Sequence, residues 1–286
     1  MQAVAIAPGI DPHEVLETGN VLILPEAPLE LSREDRELMQ NVRQSSGYHK
    51  NISYKPVQNK LTGLDKAATP VRERLHGILR RYSEMAVGHA SRLLPRYSGR
   101  WQLDYASFRP VEEAGRDLPF KKRNDLLHTD AFPTRPTRGG LILRIFLNLH
   151  PSKPRVWVIS DPFERLAPQH AAAAGLERIA RSKRVAQKAL RALGVPVPAR
   201  SPYDEFMLAF HDYLKANAEF QSHCPKYRLE FAPGTAWMVF TDVVPHSVES
   251  GQFALEQTLI VPRGALAAPE RAPISILERL AARKLA

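Results

Sequence analysis

Apolar residues between Val71 and Leu94 recur at the three- and four-residue spacing of one helix face. We therefore predict a long helix here with one buried side, and we take the histidine on that side for a core residue. The apolar positions are Leu75, Ile78, Leu79, Tyr82, Met85, Ala86, His89 and Leu93.

After Trp101 the pattern changes to short apolar or alternating runs that Pro and Gly turns separate. Such spacing is typical of a small antiparallel barrel. The predicted fold class is α+β, a double-stranded β-helix (jelly-roll or cupin-like barrel) with flanking helices. The predicted strands are "RWQLDYASFRPV", "LILRIFLNL", "RVWVIS", "YRLEFA", "TAWMVFTD" and "FALEQTLIVP".

We interpret residues 1–286 as a single domain around a jelly-roll core at 100–262. Residues 1–70 are polar and weakly patterned, so we predict a wrapping arm with one helix after the Ser32 cap. A helical insertion at about 162–220 separates two of the strands. The C-terminal segment 270–286 is predicted to be a helix that packs on the barrel through Ile274, Leu277, Leu280 and Ala281.

Composition limits the possible partners and compartments. The chain is 44% hydrophobic, with 24 prolines and a formal net charge of +10, so its surface should attract anions. The single cysteine, Cys224, excludes an internal disulfide and a multi-cysteine zinc site, which fits a reducing compartment. The N-terminus lacks the features of a secretory signal, and no stretch approaches the roughly 18 apolar residues of a spanning helix. Any membrane contact is therefore expected to be peripheral.

A possible metal site begins at the sequence "LLHTDAF", where His128 and Asp130 are two residues apart. In extended chain such side chains project to the same side and can bind one ion. A facial triad of two histidines and a carboxylate needs a second histidine from a later strand. His246 fits best, because a Pro-Gly turn, an apolar strand and a short loop place it where a neighbouring strand would begin.

The strand after this pair has two distinct faces. Its odd positions are aliphatic, whereas its even positions include Arg144 and Asn148. The even face is either solvent-exposed or, in a barrel covered by helices, lines the cavity. In the second case Arg144 and Asn148 would bind a cofactor, since an arginine fork suits a carboxylate. Arg155 or Arg123 could serve instead of Arg144.

These features fit a non-haem iron, 2-oxoglutarate-dependent dioxygenase. Three protein ligands leave coordination positions for 2-oxoglutarate and O2 as cosubstrates of Fe(II). Many such enzymes have a basic residue about a dozen positions after the distal histidine, but here Glu256, Gln257 and Thr258 occupy that region. Arg144, fourteen residues after Asp130, suits the anchoring role.

Four segments carry a resemblance to a known family: "HTDAFPTRPTRGG", "ILRIFLN", "PRVWVISDPF" and "PHSVESGQFALEQT". They closely resemble the family of hydroxylases of 3-deoxy-D-manno-oct-2-ulosonic acid (Kdo), over about residues 100–262. The resemblance implies hydroxylation of carbon 3 of a Kdo residue of Kdo2-lipid A, giving Ko, during lipopolysaccharide biosynthesis. His128, Asp130 and His246 would be the iron ligands. Leu141 and His150 depart from the Arg and Asn common in the family, so substrate contacts there are not transferred.

The resemblance also suggests a target for the basic residues between 121 and 155, because Kdo carboxylates and lipid A phosphates are anionic. The basic segment 178–191 would lie against the anionic inner leaflet or simply be an exposed helix. We thus expect a cytoplasmic protein peripheral to the inner membrane of a Gram-negative bacterium, with no nucleic acid partner. The predicted substrate-binding residues are Arg123, Arg135, Arg138, Arg155 and Trp157.

Two alternatives remain open from the residues. One is the same iron chemistry on another anionic substrate, such as a nucleotide, a tRNA or a different sugar acid. The other is a catalytically silent barrel whose basic groove binds nucleic acid or lipopolysaccharide. The presence of all three ligands disfavours the silent barrel, because a binding module does not need them.

Overall fold

A computed structural model of the chain describes residues 1–42, 51–64, 69–182 and 200–286. The strands in chain order are β1 (Ala3–Ala5), β2 (Val21–Ile23), β3 (Ile52–Lys55), β4 (Lys60–Thr62), β5 (Gln102–Arg109), β6 (Leu141–Asn148), β7 (Arg155–Ile159), β8 (Tyr227–Phe231), β9 (Ala236–Phe240), β10 (His246–Ser250) and β11 (Ala254–Val261). The α-helices are α1 (Pro12–Glu17), α2 (Arg33–Asn41), α3 (Thr69–Leu93), α4 (Phe163–His170), α5 (Leu176–Arg181), α6 (Pro202–Ala216), α7 (Ala218–His223) and α8 (Pro273–Ala281).

Two sheets face each other, as the jelly-roll prediction requires. The larger has the order β1-β2-β9-β6-β11-β5-β3-β4, and the smaller has the order β10-β7-β8. All pairings are antiparallel except that of β1 with β2. Phe146 of β6 contacts Trp157 of β7 with ring centroids 4.9 Å apart, so inward side chains from both sheets form the core.

Strand β6 lies inside the larger sheet and is buried along its whole length. Its even face, which holds Arg144 and Phe146, points into the space between the sheets. The other face is covered by α3, whose Tyr82 hydroxyl donates a 2.8 Å hydrogen bond to the Ile145 carbonyl. The even face therefore lines the cavity and is not exposed to solvent.

The predicted strands all appear, and β10 begins at His246. The N-terminal arm contains the predicted helix α2, whose Ser32 hydroxyl accepts the Asp35 N–H. The arm also supplies four short strands that were not predicted, β1 and β2 at one edge of the larger sheet and β3 and β4 at the other.

Three helical side chains differ from their predicted burial. Met85 of α3 is 43% exposed, because it lies at the margin of the buried face. His89 is only half-buried, so it is not a core histidine. The C-terminal helix α8 contacts α4 and α5 of the insertion as well as the turn before β6, where Ile274 lies over Gly139, and this packing leaves Leu280 45% exposed.

Helices α4, α5, α6 and α7 occupy the insertion between β7 and β8. Most of the basic segment 178–191 lies outside the described residues. Within the described ranges, no helix is both long enough and apolar enough to cross a bilayer.

Candidate metal centre

The two histidines of the predicted triad are held together by their own backbones. The His128 N–H donates to the His246 carbonyl at 3.1 Å, and the His246 N–H donates back at 2.9 Å. The Asp130 N–H donates to the Thr241 carbonyl, just after β9, at 2.8 Å. Backbone pairing therefore brings a loop before β6 to the start of β10.

The three side chains converge in the barrel interior. His128 Nε2 lies 3.9 Å from Asp130 Oδ1, and His246 Nε2 lies 3.9 Å from Asp130 Oδ2. One ligand atom from each residue lies within 4.8 Å of the others. This is the donor set of a facial triad, which suits Fe(II).

Hydrogen bonds set the ring orientation of both histidines. His128 Nδ1 lies 2.7 Å from the Leu126 carbonyl, and His246 Nδ1 lies 2.9 Å from the Val244 carbonyl. Since a carbonyl only accepts, each Nδ1 carries the proton and donates it. The lone pair of each Nε2 is thus left to bind a metal.

The local electrostatics keep the ligands in their metal-binding forms. Burial lowers the pKa of His128 and of His246, so both imidazoles are neutral at pH 7. Burial alone would raise the pKa of Asp130, but the positive charge of the Arg144 guanidinium holds it well below its ordinary value. Neutral imidazoles and an ionised carboxylate need no deprotonation before a metal binds.

The buried Oδ2 of Asp130 forms an ion pair with Arg144 Nε at 3.3 Å but accepts no hydrogen bond in the described part of the chain. A buried carboxylate oxygen without a hydrogen bond can still bind an ion. The donor set, the tautomers and this oxygen all fit a divalent metal ion.

Arg144 lies beside the metal ligands and links them to a buried charge cluster. Its Nε is 3.3 Å from Asp130 Oδ2, and its guanidinium is 3.2 Å from Glu256 Oε1. Glu256 also accepts a 2.9 Å hydrogen bond from Arg109 Nε. Glu256 thus forms ion pairs with two arginines. It lies about a dozen residues after His246, where many such dioxygenases have a basic residue.

The cluster continues to Arg155, which is 1% exposed. Its guanidinium donates to the Gly251 carbonyl at 3.1 Å and lies 3.9 Å from Glu113. Its Nε is buried without a partner among the described residues. Burial and the nearby positive charge of Arg109 lower the pKa of Arg155 to about 10. A guanidinium with an unbonded donor is suited to binding an anion.

Trp157 forms the wall next to the metal ligands. Its ring stacks on His246 with centroids 5.1 Å apart and an interplanar angle of 18°. The buried indole N–H has no acceptor within the described ranges. A bound polar molecule would supply one.

The other predicted residues do not meet at the metal ligands. Asn148 is four residues along β6 from Arg144, roughly 13 Å at the rise of a strand. Its side-chain amide donates to the carbonyls of Lys153 and Phe231, at 3.1 and 2.9 Å, and its oxygen accepts the His150 N–H. These bonds give Asn148 a structural role at the far end of the barrel.

Three of the predicted arginines lie nearer the surface. Arg123 is half-buried and pairs with Asp125 near the surface. Arg138 is exposed, with φ of +53°, and its backbone N–H donates to Asp204. Arg135 pairs with Asp104 and lies 4.3 Å from the ring centroid of Phe132. Since Arg144 lies 5.6 Å from the same ring, Arg135 borders the site through Phe132.

Sequence reasoning missed Arg109, Glu113 and the acidic role of Glu256. Arg109 and Glu256 are distant in sequence but meet because β11 pairs with β5, where Glu256 is opposite Ser107. Glu113 follows β5, and its N–H donates to the Gly251 carbonyl. For Arg109 and Glu256 the available signal was a charged residue inside a predicted strand.

Comparison with known proteins identifies the family. A family model described as 3-deoxy-D-manno-oct-2-ulosonic acid (Kdo) hydroxylase matches residues 7–284. The chain belongs to the Kdo hydroxylase family. This membership confirms the resemblance seen in the four sequence segments, and it extends the match over nearly the whole chain.

Solved structures from the same family support the fold and the metal site. The Kdo hydroxylase KdoO, a non-haem Fe(II) 2-oxoglutarate-dependent dioxygenase in complex with 2-oxoglutarate and Fe(III), is 33% identical, with a TM-score of 0.88 over 100% of this chain and 97% of that one. The cobalt(II) complex of KdoO is 34% identical, with a TM-score of 0.89 over 99% and 97% of the two chains. The jelly-roll fold class is thereby confirmed. No curated protein matched the sequence.

Proposed function

We propose that this chain is an Fe(II)- and 2-oxoglutarate-dependent dioxygenase that hydroxylates carbon 3 of a Kdo residue of Kdo2-lipid A, giving Ko. The observation that carries the proposal is the buried His128, Asp130 and His246 group in a member of the Kdo hydroxylase family. A non-catalytic barrel has no use for three ligands held in metal-binding form. Family membership also favours a Kdo-containing substrate over a nucleotide or tRNA.

The three ligands would hold Fe(II), which when bound supplies the oxidative chemistry with 2-oxoglutarate and O2. The remaining residues bind and orient. Trp157 packs on the His246 ring, and the apolar wall around it excludes water from the reacting centre.

We assign a carboxylate of 2-oxoglutarate to Arg144, because its guanidinium is buried in the barrel next to the metal ligand Asp130. The Arg144→Ala variant should raise KM for 2-oxoglutarate by about 10- to 100-fold, the worth of a charge-assisted hydrogen bond. Arg135→Ala, which removes an arginine at the border of the site, is the control. An unchanged KM in Arg144→Ala would remove it as the anchor.

We assign the carboxylate of the Kdo substrate to Arg155 and the polar edge of the sugar to the Trp157 indole N–H. Both groups are buried and have donors without partners among the described residues. Arg123, Arg135 and Arg138 are at or near the surface, where lipid A phosphates would reach them.

The deciding experiment is incubation of purified protein with Kdo2-lipid A, ferrous iron and 2-oxoglutarate, followed by mass spectrometry. The expected product carries one added oxygen atom, and it is absent when His128→Ala replaces the wild-type chain. If iron-loaded protein consumes 2-oxoglutarate without adding oxygen to Kdo2-lipid A, the chemistry stands and the acceptor is wrong.

We also propose that the enzyme is cytoplasmic and binds the inner membrane peripherally through its positive charge. Flotation with anionic vesicles tests this. Binding should fall as salt rises, because screening weakens exposed electrostatic contacts. If binding does not change with salt concentration, or if no binding is seen, the electrostatic mechanism is contradicted.

A further inference from the structure

The segment that carries two metal ligands, residues 126–130, is held from both sides. On one side it bonds to the Thr241 carbonyl, just after β9, and to the His246 carbonyl at the start of β10. On the other side lie α6 and α7 of the helical insertion. Three side chains of these helices reach its backbone or the loop before it, and none belongs to the triad or to the charge cluster.

His211 of α6 makes the most direct of these contacts. Its Nδ1 lies 2.8 Å from the carbonyl of Thr129, the residue between the two ligands. Since the carbonyl only accepts, Nδ1 carries a proton and donates it. The His211 ring also packs edge-on against the ligand His128, with centroids 4.8 Å apart and an interplanar angle of 75°.

Gln221 of α7 holds the residue that precedes the first ligand. Its Oε1 accepts the Leu127 N–H at 3.1 Å, and its Nε2 donates to the Leu127 carbonyl at 2.9 Å. The same Nε2 donates to the Leu214 carbonyl at 2.8 Å, which ties α7 to the end of α6. One amide thus binds both backbone groups of Leu127, as a neighbouring strand would.

A third contact holds the start of the same loop. Lys215 lies one turn after His211 on α6, is 3% exposed, and donates from Nζ to the Lys121 carbonyl at 3.1 Å. Lys121 returns a 2.6 Å ion pair to Asp212. Spacing of three and four residues places these α6 side chains on adjacent positions of the helix surface.

We propose that His211 and Gln221 are positioning residues that fix the ligand segment 126–130, so that the helical insertion sets the affinity of the metal site. The Thr129 carbonyl lies between the ligands, so a shift of this peptide moves both His128 and Asp130. Groups that orient metal ligands typically change metal affinity by about 10- to 100-fold when removed.

The experiment is titration of the apo-protein with cobalt(II), followed by visible absorbance, for matched variants. His211→Leu and Gln221→Ala should each raise the Kd for cobalt(II) by about 10-fold or more. His211→Asn should stay near wild type, because the asparagine Nδ2 can donate from about the position of the histidine Nδ1.

Two control variants alter the same helical region without touching the ligand segment. His170→Leu removes a half-buried histidine of α4 that contacts Tyr213 of α6. Gln169→Ala removes a glutamine whose side-chain amide donates to the Arg165 carbonyl of its own helix. Both should bind cobalt(II) as the wild type does.

Wild-type cobalt(II) affinity in both His211→Leu and Gln221→Ala overturns the proposal. Equal losses in His211→Asn and His211→Leu also overturn it, because ring packing rather than the hydrogen bond would then be responsible. If the His211→Leu variant does not fold, the cobalt(II) affinities of Gln221→Ala and His211→Asn test the proposal without it. The readout is metal affinity and involves no organic substrate, so it is independent of the Kdo2-lipid A assignment.

Discussion

Replacing Glu256 by alanine should destabilise the protein strongly, because its carboxylate is the shared counter-charge of two buried arginines. Glu256 is 4% exposed, accepts a 2.9 Å bond from Arg109 Nε, and lies 3.2 Å from the Arg144 guanidinium. The side chains of both arginines are nearly buried, at 13% and 10% exposure. In the Glu256→Ala variant neither guanidinium can turn to bulk water.

The size of the loss in stability depends on which acidic partners each arginine keeps in the variant. Breaking a buried pair typically costs about 3–5 kcal/mol, since a charge is left uncompensated. Arg109 still has Glu113 at 3.8 Å, and Arg144 still has Asp130 at 3.3 Å, so the low end applies. We expect a loss of about 3 kcal/mol in the free energy of unfolding for Glu256→Ala. Glu256→Gln keeps an acceptor and should lose about half as much.

Urea denaturation of the metal-free protein measures this. With a slope of about 3 kcal/mol per molar urea, the midpoint should fall by about 1 M. Glu249→Ala, which removes a half-exposed partner of Arg228, is the control and should leave the midpoint unchanged.

Burial alone would raise the pKa of Glu256, but Arg109 and Arg144 hold it below its ordinary 4.5. The stabilisation is therefore complete above pH 4.5 and is lost as the pH falls further. A Glu256→Ala midpoint equal to that of Glu249→Ala at pH 7 would refute this account of the cluster.

Two further predictions concern the metal ligands and the turn before β6. Burial lowers the pKa of His128 and of His246 below 6.5, so cobalt(II) affinity should fall by less than about 4-fold from pH 8 to pH 6.5. Two histidines of ordinary pKa would lower the affinity by about 4-fold over this range. A larger loss in the titration would contradict the assignment of neutral ligands. Gly139→Ala should lose about 1–3 kcal/mol in urea denaturation, because φ is +93° and a Cβ would lie 2.4 Å from Ile274 Cδ1. Gly115→Ala, with φ of +69° and no atom within 4 Å of a Cβ, should lose less, and equal losses would show that the Ile274 contact is unimportant.

Local periodicity was enough to predict most of the barrel. Strands such as β6 and β11 are eight residues long and carry their own apolar pattern, and α3 shows a helix face over 25 residues. The strands of the arm are three or four residues long, too short for any period to show. They form because the edges of the larger sheet offer partners, which is a property of the fold.

The sequence by itself was enough to predict the metal-binding residues and the family of the chain. His128 and Asp130 are near each other in the chain, and the start of a strand at His246 was visible in the turn and apolar run before it. Formal charge, however, is the same for a buried and an exposed arginine. Only the tertiary structure separated Arg144 and Arg155, whose side chains are 10% and 1% exposed beside acidic partners, from Arg123, whose side chain is 41% exposed. Burial and partner distance depend on which strands pair, and long-range pairing is not encoded in any local window of the sequence.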